Sequence, residues 1–234
     1  MKIKISREIA YVLGMILIAI GTGTITRSNL GIGIVVAPAY MLHKWLSVNV
    51  STFFTFGVCQ YLFQALLLLV VCLVRRRFRL TYLFAFISAV LEGYLLDFVL
   101  YLIPDGLSNI ILQILLFFVG QTICSLGIAF MLKTYITPEI YEVAVNEFTE
   151  QFCHATTSYT ISVVKTIYDC ASGALAIGMS FLFFHQLVGV GIGTIISALI
   201  SGWMIGRFQK FGNKYIQFYD RLKIQKYFEN SISE

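Results

Sequence analysis

Six runs of apolar residues, each long enough to cross a lipid bilayer as a helix, limit this chain to very few folds. They are Ile9–Thr26, Val50–Val74, Leu80–Ile103, Ile110–Leu132, Thr157–Phe184 and Val188–Gly206. A helix rises ~1.5 Å per residue, so about 20 residues span the ~30 Å hydrocarbon layer. Backbone amides find no water there, which leaves helices or a closed barrel, and these runs lack the period-two alternation of barrel strands. With 58% hydrophobic and only 12% charged residues, the 234-residue chain cannot hide its apolar side chains in a water-soluble core. The expected fold is all-α, a polytopic bundle of six transmembrane helices in contact with the lipid bilayer.

The net charge of +5 does not point to nucleic acid, because the basic residues cluster at the ends of the runs instead of forming one patch. Lys2, Lys4 and Arg7 precede the first run, Arg75, Arg76, Arg77 and Arg79 separate the second and third, and Arg207, Lys210, Lys214, Arg221, Lys223 and Lys226 follow the sixth. By the positive-inside rule these segments and both termini are expected on the cytoplasmic side of a bacterial cell membrane. The opposite side then receives only Arg27 and Lys44. The basic start resembles a signal peptide, but Thr24-Ile25-Thr26-Arg27 offers no small-x-small cleavage site, so the first helix is expected to remain. Cys59, Cys72, Cys124, Cys153 and Cys170 form no Cys-x-x-Cys pair and read as small buried hydrophobes. His43, His154 and His185 are scattered over three connections, so no metal site is expected. No cofactor, P-loop or hydrolase motif is legible, and the chain is not expected to be an enzyme.

The sequence repeats itself. Ser88 to Leu96 aligns without gaps with Ser197 to Ile205, small residues on small and Tyr94 on Trp203. Gly14 and Gly21 are spaced like Gly120 and Gly127, followed at matching offsets by Arg27 and Lys133. The expected units are therefore a first three-helix repeat, 1–106, a second, 107–212, and a basic cytoplasmic tail, 213–234. Three spans deliver the chain to the other side, so the two copies are inverted, a build shared by many secondary transporters. Each copy carries an insert before its second span. Gly31 to Leu46, nearly uncharged, is expected to re-enter the bilayer under protein cover. Residues 137–152 are expected to form an amphipathic helix along the inner surface. Thr137-Pro138-Glu139 has the pattern of a helix start. Tyr141, Ala144, Val145, Phe148 and Phe152 fall on one face, with Glu139, Glu142, Asn146 and Glu150 mostly on the other.

Ionisable residues inside the spans cost ~2.5–3.5 kcal/mol each even on permissive scales and so face a partner or a wet cavity. Lys165 and Asp169 are four apart and are expected to pair along one helix face. Glu92 sits mid-span in the third run without a cation nearby, and Gln60 with Gln64 repeats the four-residue spacing in the second. The expected binding site for a small solute or an ion gathers Glu92, Lys165, Asp169, Gln60 and Gln64, with Asp97, nearer the outer interface, as a secondary candidate. The alternative is a structural salt bridge with interhelical amide bonds.

The chain resembles the YczE-like family of small bacterial membrane proteins, related to the YitT proteins. The residues that carry this resemblance are Ser28-Asn29-Leu30-Gly31-Ile32, Lys165 with Asp169, Asp97, and Gly191-Ile192-Gly193-Thr194 with Ala198 and Gly202. Ile34 and Val36 stand where that family has a proline and an aspartate. The resemblance implies a transporter-like build without assigning a substrate. The leading expectation is a secondary transporter or exporter of a small solute. The alternatives are a substrate-binding or accessory subunit, similar to those of energy-coupling-factor importers, and a membrane sensor or assembly factor; a partner subunit or homo-oligomer belongs to these readings.

Overall fold

The computed structural model describes residues 3–76, 78–104, 109–134, 139–153 and 158–219. In chain order the elements are β1 (Ile3–Ser6), α1 (Arg7–Arg27), α2 (Ala37–Asn49), α3 (Phe56–Arg75), α4 (Leu80–Leu102), α5 (Ile110–Met131), α6 (Ile140–Cys153), α7 (Ser158–Phe184), α8 (Ile192–Tyr215) and β2 (Ile216–Tyr219). Five helices, α1, α3, α4, α5 and α7, contain stretches long and apolar enough to cross a membrane. The chain is a helical integral membrane protein. Its outer surface fits lipid: on α3, Leu62, Leu66, Leu69 and Leu73 point outward while Gly57, Gln60, Gln64 and Val71 are buried.

The sixth apolar run differs from expectation. It is a helix, but α8 runs on to Tyr215 and carries Arg207, Lys210 and Lys214 in its second half, so it does not stand among the spanning candidates. The helix is followed by β2, which pairs in parallel with β1 and ties the two ends of the described chain together. Most of the expected basic tail, residues 220–234, lies outside the described residues, as do Thr137 and Pro138.

The centre of the bundle is the antiparallel pair α1 and α5, and the repeated glycines explain it. A methyl on Gly14 would lie 2.9 Å from the Gly127 carbonyl oxygen, and one on Gly127 would lie 2.7 Å from that of Gly14. Seven residues along, a methyl on Gly120 would lie 2.9 Å from the Gly21 carbonyl oxygen. Only glycine lets these backbones touch. The flanking helices repeat one pattern. Helix α4 packs on α1 as α8 packs on α5, α2 packs on α3 and α7, and α6 packs on α7 and α3. The paired serines of the repeated stretch make the corresponding bridges: Tyr11 Oη donates to Ser88 Oγ (2.6 Å), and Ser197 Oγ donates to Gln121 Oε1 (3.0 Å).

The two inserts are both short helices, and both begin deep in the bundle. After α1, Asn29 (φ 59°) and Gly31 (φ 132°) turn the chain inward. Leu30 O then accepts from Gly193 N (2.8 Å), and Ile32 N donates to Thr194 Oγ1 (3.0 Å), locking the turn to the start of α8. Gly31, Gly191 and Gly193 have no room for a side chain at this crossing. The resemblance-bearing segments at Ser28–Ile32 and Gly191–Thr194 thus meet. Ile34 lies against Gly173, and α2 starts beside Ala176, about two-thirds of the way along α7, before ending where Trp45 stacks on Phe183 at 5.0 Å.

Helix α6 departs from the expected surface helix. It starts beside Glu92, halfway along α4, and runs to the opposite end from α2. Tyr141, Val143, Ala144, Val145, Glu147 and Thr149 are all buried, which a helix lying on a surface does not allow. Ile140, Val143 and Ala144 join Val71, Tyr82, Ala85 and Ala89 in one apolar cluster. Its later acids, Glu147 and Glu150, meet arginine. Glu147 bonds Arg75 Nε (2.7 Å) and Arg79 Nη1 (3.1 Å), and Glu150 bonds Arg75 Nη2 (2.8 Å). The arginines that mark topology in the sequence also hold α6 in place.

Candidate functional site

Where the two short helices start, a cavity of about 360 Å³ opens at the middle of the bundle. Residues Gly33–Val36, leading into α2, form one wall, and Glu139, Tyr141, Glu142 and Val145 of the α6 start form another. Helix α4 contributes Glu92, α7 contributes Lys165, Tyr168 and Asp169, and α8 contributes Ser197, Ser201 and Gly202. Much of the remainder, including Ile18, Ile25, Ile128 and Met131 of α1 and α5, is apolar.

Three of the expected site residues, Glu92, Lys165 and Asp169, are therefore brought to one space. Their partners are not those that local spacing suggests. The Lys165 ammonium pairs with Glu142 of α6, not with Asp169. A lysine takes the carboxylate it can reach with the least distortion, and α6 delivers one across the cavity. Asp169 Oδ1 is left buried without a hydrogen-bond partner among the described residues. Glu92 is buried; its Oε1 accepts from Gln60 Nε2 (3.1 Å), and the Glu139 carboxyl lies within hydrogen-bonding contact of it. Two carboxyls in contact are stable only when a proton or another positive charge offsets their repulsion.

Gln60 and Gln64 do not line the cavity. Gln60 braces Glu92 from behind, and Gln64 is fully buried with neither amide atom bonded among the described residues. Asp97 belongs elsewhere too. It accepts from Gly57 N (2.8 Å) and Thr55 Oγ1 (2.5 Å), capping α3, whose other N-terminal bond runs from Val58 N to Thr55 Oγ1. It lines a second hollow of about 320 Å³ at the α2 end, with Arg27, His43 and Lys44.

Sequence reasoning missed Glu139 and Glu142 as site residues. Both fall on the polar face of the expected surface helix, and the signal that points further is the equivalent position of the two inserts, each following the first helix of its expected unit. Burial pushes the Glu139 carboxyl up to about 7, with the Glu142 charge adding to the rise, while the hydrogen bond from Glu92 and the Lys165 charge oppose it. A carboxyl raised on folding gives the folded state an extra proton, so its contribution to stability is complete below the unfolded value of about 4.5 and is lost as pH rises through about 7. Thermal midpoints of the detergent-solubilised protein should therefore fall between about pH 5 and pH 8. Glu139→Gln should flatten that fall, and an unchanged slope in the variant would mean that another group titrates.

Residues 5–210 match DUF6198, described as a family of unknown function. The chain belongs to that family. The match takes in both halves and every cavity residue named above, and stops within α8. No curated protein and no solved structure matches the chain.

Proposed function

We propose that this member of DUF6198 is a secondary transporter of a small solute, built from two inverted repeats, 1–106 and 107–212, with α8 as its sixth span. The observation that carries the reading is the pair of half-length helices, α2 and α6, whose N-termini enter from opposite ends and converge on one charged cavity at mid-depth. Broken helices meeting at the repeat interface place a site where rocking one half against the other opens it to each side in turn. The symmetric pairing of α1 with α5 supports the same build, because exchanging Gly14 for Gly120 and Gly21 for Gly127 exchanges the two glycine contacts. The halves also differ in a way that fits alternating access. Gly93 of α4 packs on Gly57 of α3, whereas its counterpart Gly202 of α8 has nothing within 4 Å of the place its side chain would occupy, so the cavity reaches between α7 and α8.

In this reading both termini and the Arg75–Arg79 connection are cytoplasmic in a bacterial membrane, which gathers Arg207, Lys210 and Lys214 on the same side. Glu92 and Glu139 carry the coupling proton. The likeness to YczE-like proteins belongs to the same proposal. Proteoliposomes with a pH-sensitive dye inside, challenged with a metabolite library, test it: some solutes should move protons only when protein is present, and Glu92→Gln should abolish this. Solute binding without any flux would instead support the accessory-subunit reading.

A further inference from the structure

Taking the central cavity as the solute site of the proposed transporter, we infer that its solute is a monovalent organic cation with an apolar body, which displaces the proton shared by Glu92 and Glu139. The inference rests on that reading for the cavity's role, but its chemistry is argued from the cavity itself.

The charge of the cavity decides the sign. Four carboxyls face it, Glu92, Glu139, Glu142 and Asp169, against a single ammonium, Lys165. Lys165 and Glu142 satisfy each other. One proton held between Glu92 and Glu139 leaves that pair with one negative charge, and Asp169 adds a second. The N-termini of α2 and α6 each contribute roughly half a positive charge. The balance is about one negative charge, which draws in a cation and repels an anion.

Two polar groups on the wall have no partner among the described residues: Asp169 Oδ1, which is buried, and the hydroxyl of Tyr141, a side chain 4% exposed. The Tyr141 and Tyr168 rings stand 6.4 Å apart beside them, offering π-faces of the kind that hold ammonium groups. The apolar wall from α1, α5 and the Gly33–Val36 segment suits a hydrocarbon body, and a bare metal ion would find no such use for it. Among the described residues no group of three or more acidic, His or Cys side chains is arranged to hold a metal.

The exchange balances. When the cation enters, the proton between Glu92 and Glu139 leaves to water, and the cavity keeps its charge. The groups that bear on that proton are Glu142 and Tyr141 from α6, Lys165 and Tyr168 from α7, Tyr11 from α1 and Cys124 from α5, while Gln60 from α3 supplies a neutral donor and Asp169 acts on Lys165 and Glu142. With Glu139 near 7, the exchange should be sensitive to pH around neutrality.

The test is calorimetry on the full-length protein in detergent, with benzyltrimethylammonium and tetraethylammonium as permanent cations. Neopentylbenzene, which replaces the charged nitrogen by carbon, and benzenesulfonate serve as neutral and anionic counterparts. The cations should bind, with affinity rising about tenfold from pH 6 to pH 8 and close to one proton released per cation at the lower pH. Glu139→Gln should remove the proton release and flatten the pH dependence. Binding by neither cation, equal binding of neopentylbenzene or benzenesulfonate, or cation binding without proton release would each overturn the inference. Proteoliposome flux separates the two claims. Protein-dependent movement of a neutral or anionic solute would overturn cation selection and leave transport standing, whereas cation binding with proton release but no flux would uphold the site and overturn transport.

Discussion

Lys165→Met should lower the stability of the folded protein by about 1–3 kcal/mol, and Glu142→Leu in the same chain should restore most of the loss. Removing one member of an inward-facing ion pair leaves its partner uncompensated, which costs ~3–5 kcal/mol in a dry interior. The side chains of Lys165 and Glu142 are 41% and 26% exposed to the cavity, so hydration reduces the penalty here. Adding Asp169→Leu to Lys165→Met should not rescue, because Glu142 would still stand uncompensated beside Glu139. Fluorescence-detected thermal melts of the two double variants separate the pairings: rescue by Asp169→Leu and not by Glu142→Leu would mean that the bridge runs along α7.

Gly127→Val should abolish folded protein, while Gly202→Val should leave it largely intact. At Gly127 the first added carbon would lie 2.7 Å from the Gly14 carbonyl oxygen and 2.8 Å from Ile18 N. Both are backbone atoms of a helix that cannot yield locally, and overpacking a core typically costs ~1–3 kcal/mol even where side chains can shift. At Gly202 no atom lies within 4 Å of the added carbon. Size-exclusion profiles of the two variants expressed in parallel measure the contrast. A monodisperse Gly127→Val protein would mean that α1 and α5 do not touch at this crossing.

These two experiments probe features of unequal legibility. The α1–α5 crossing could be read from the chain, since glycines spaced seven apart and repeated 106 positions later mark a close helix contact used twice. Glu92, Lys165 and Asp169 were legible because a charge inside an apolar run is expensive wherever the helix goes. Partner choice was not. Four-residue spacing joined Lys165 to Asp169, but it describes one helix alone and knows nothing of Glu142 arriving from α6. Periodicity likewise sorted the α6 acids onto a wet face without distinguishing bulk water from a cavity or from the arginines of the α3–α4 connection. Gln60 bonds Glu92 from the side away from the cavity, and the sequence does not reveal this because depth along a span carries no information about rotation towards a cavity. The sixth run shows a different limit: apolar length marks Val188–Gly206, whereas the helix itself continues through Arg207, Lys210 and Lys214 to Tyr215.

Site, function and cation preference all hang on one joint, the start of α6 reaching mid-depth and setting Glu139 against Glu92. In a background freed of native cysteines, Glu92→Cys and Glu139→Cys introduced together should be joined by a bifunctional thiol reagent with a two-carbon bridge, and a melting-point rise should accompany the link. A helix lying on the membrane surface would keep position 139 well away from the middle of α4. Efficient cross-linking of the 92–139 pair, with none between cysteines placed at 92 and 152, is the result predicted; cross-linking of neither pair, or of the 92–152 pair instead, would contradict it.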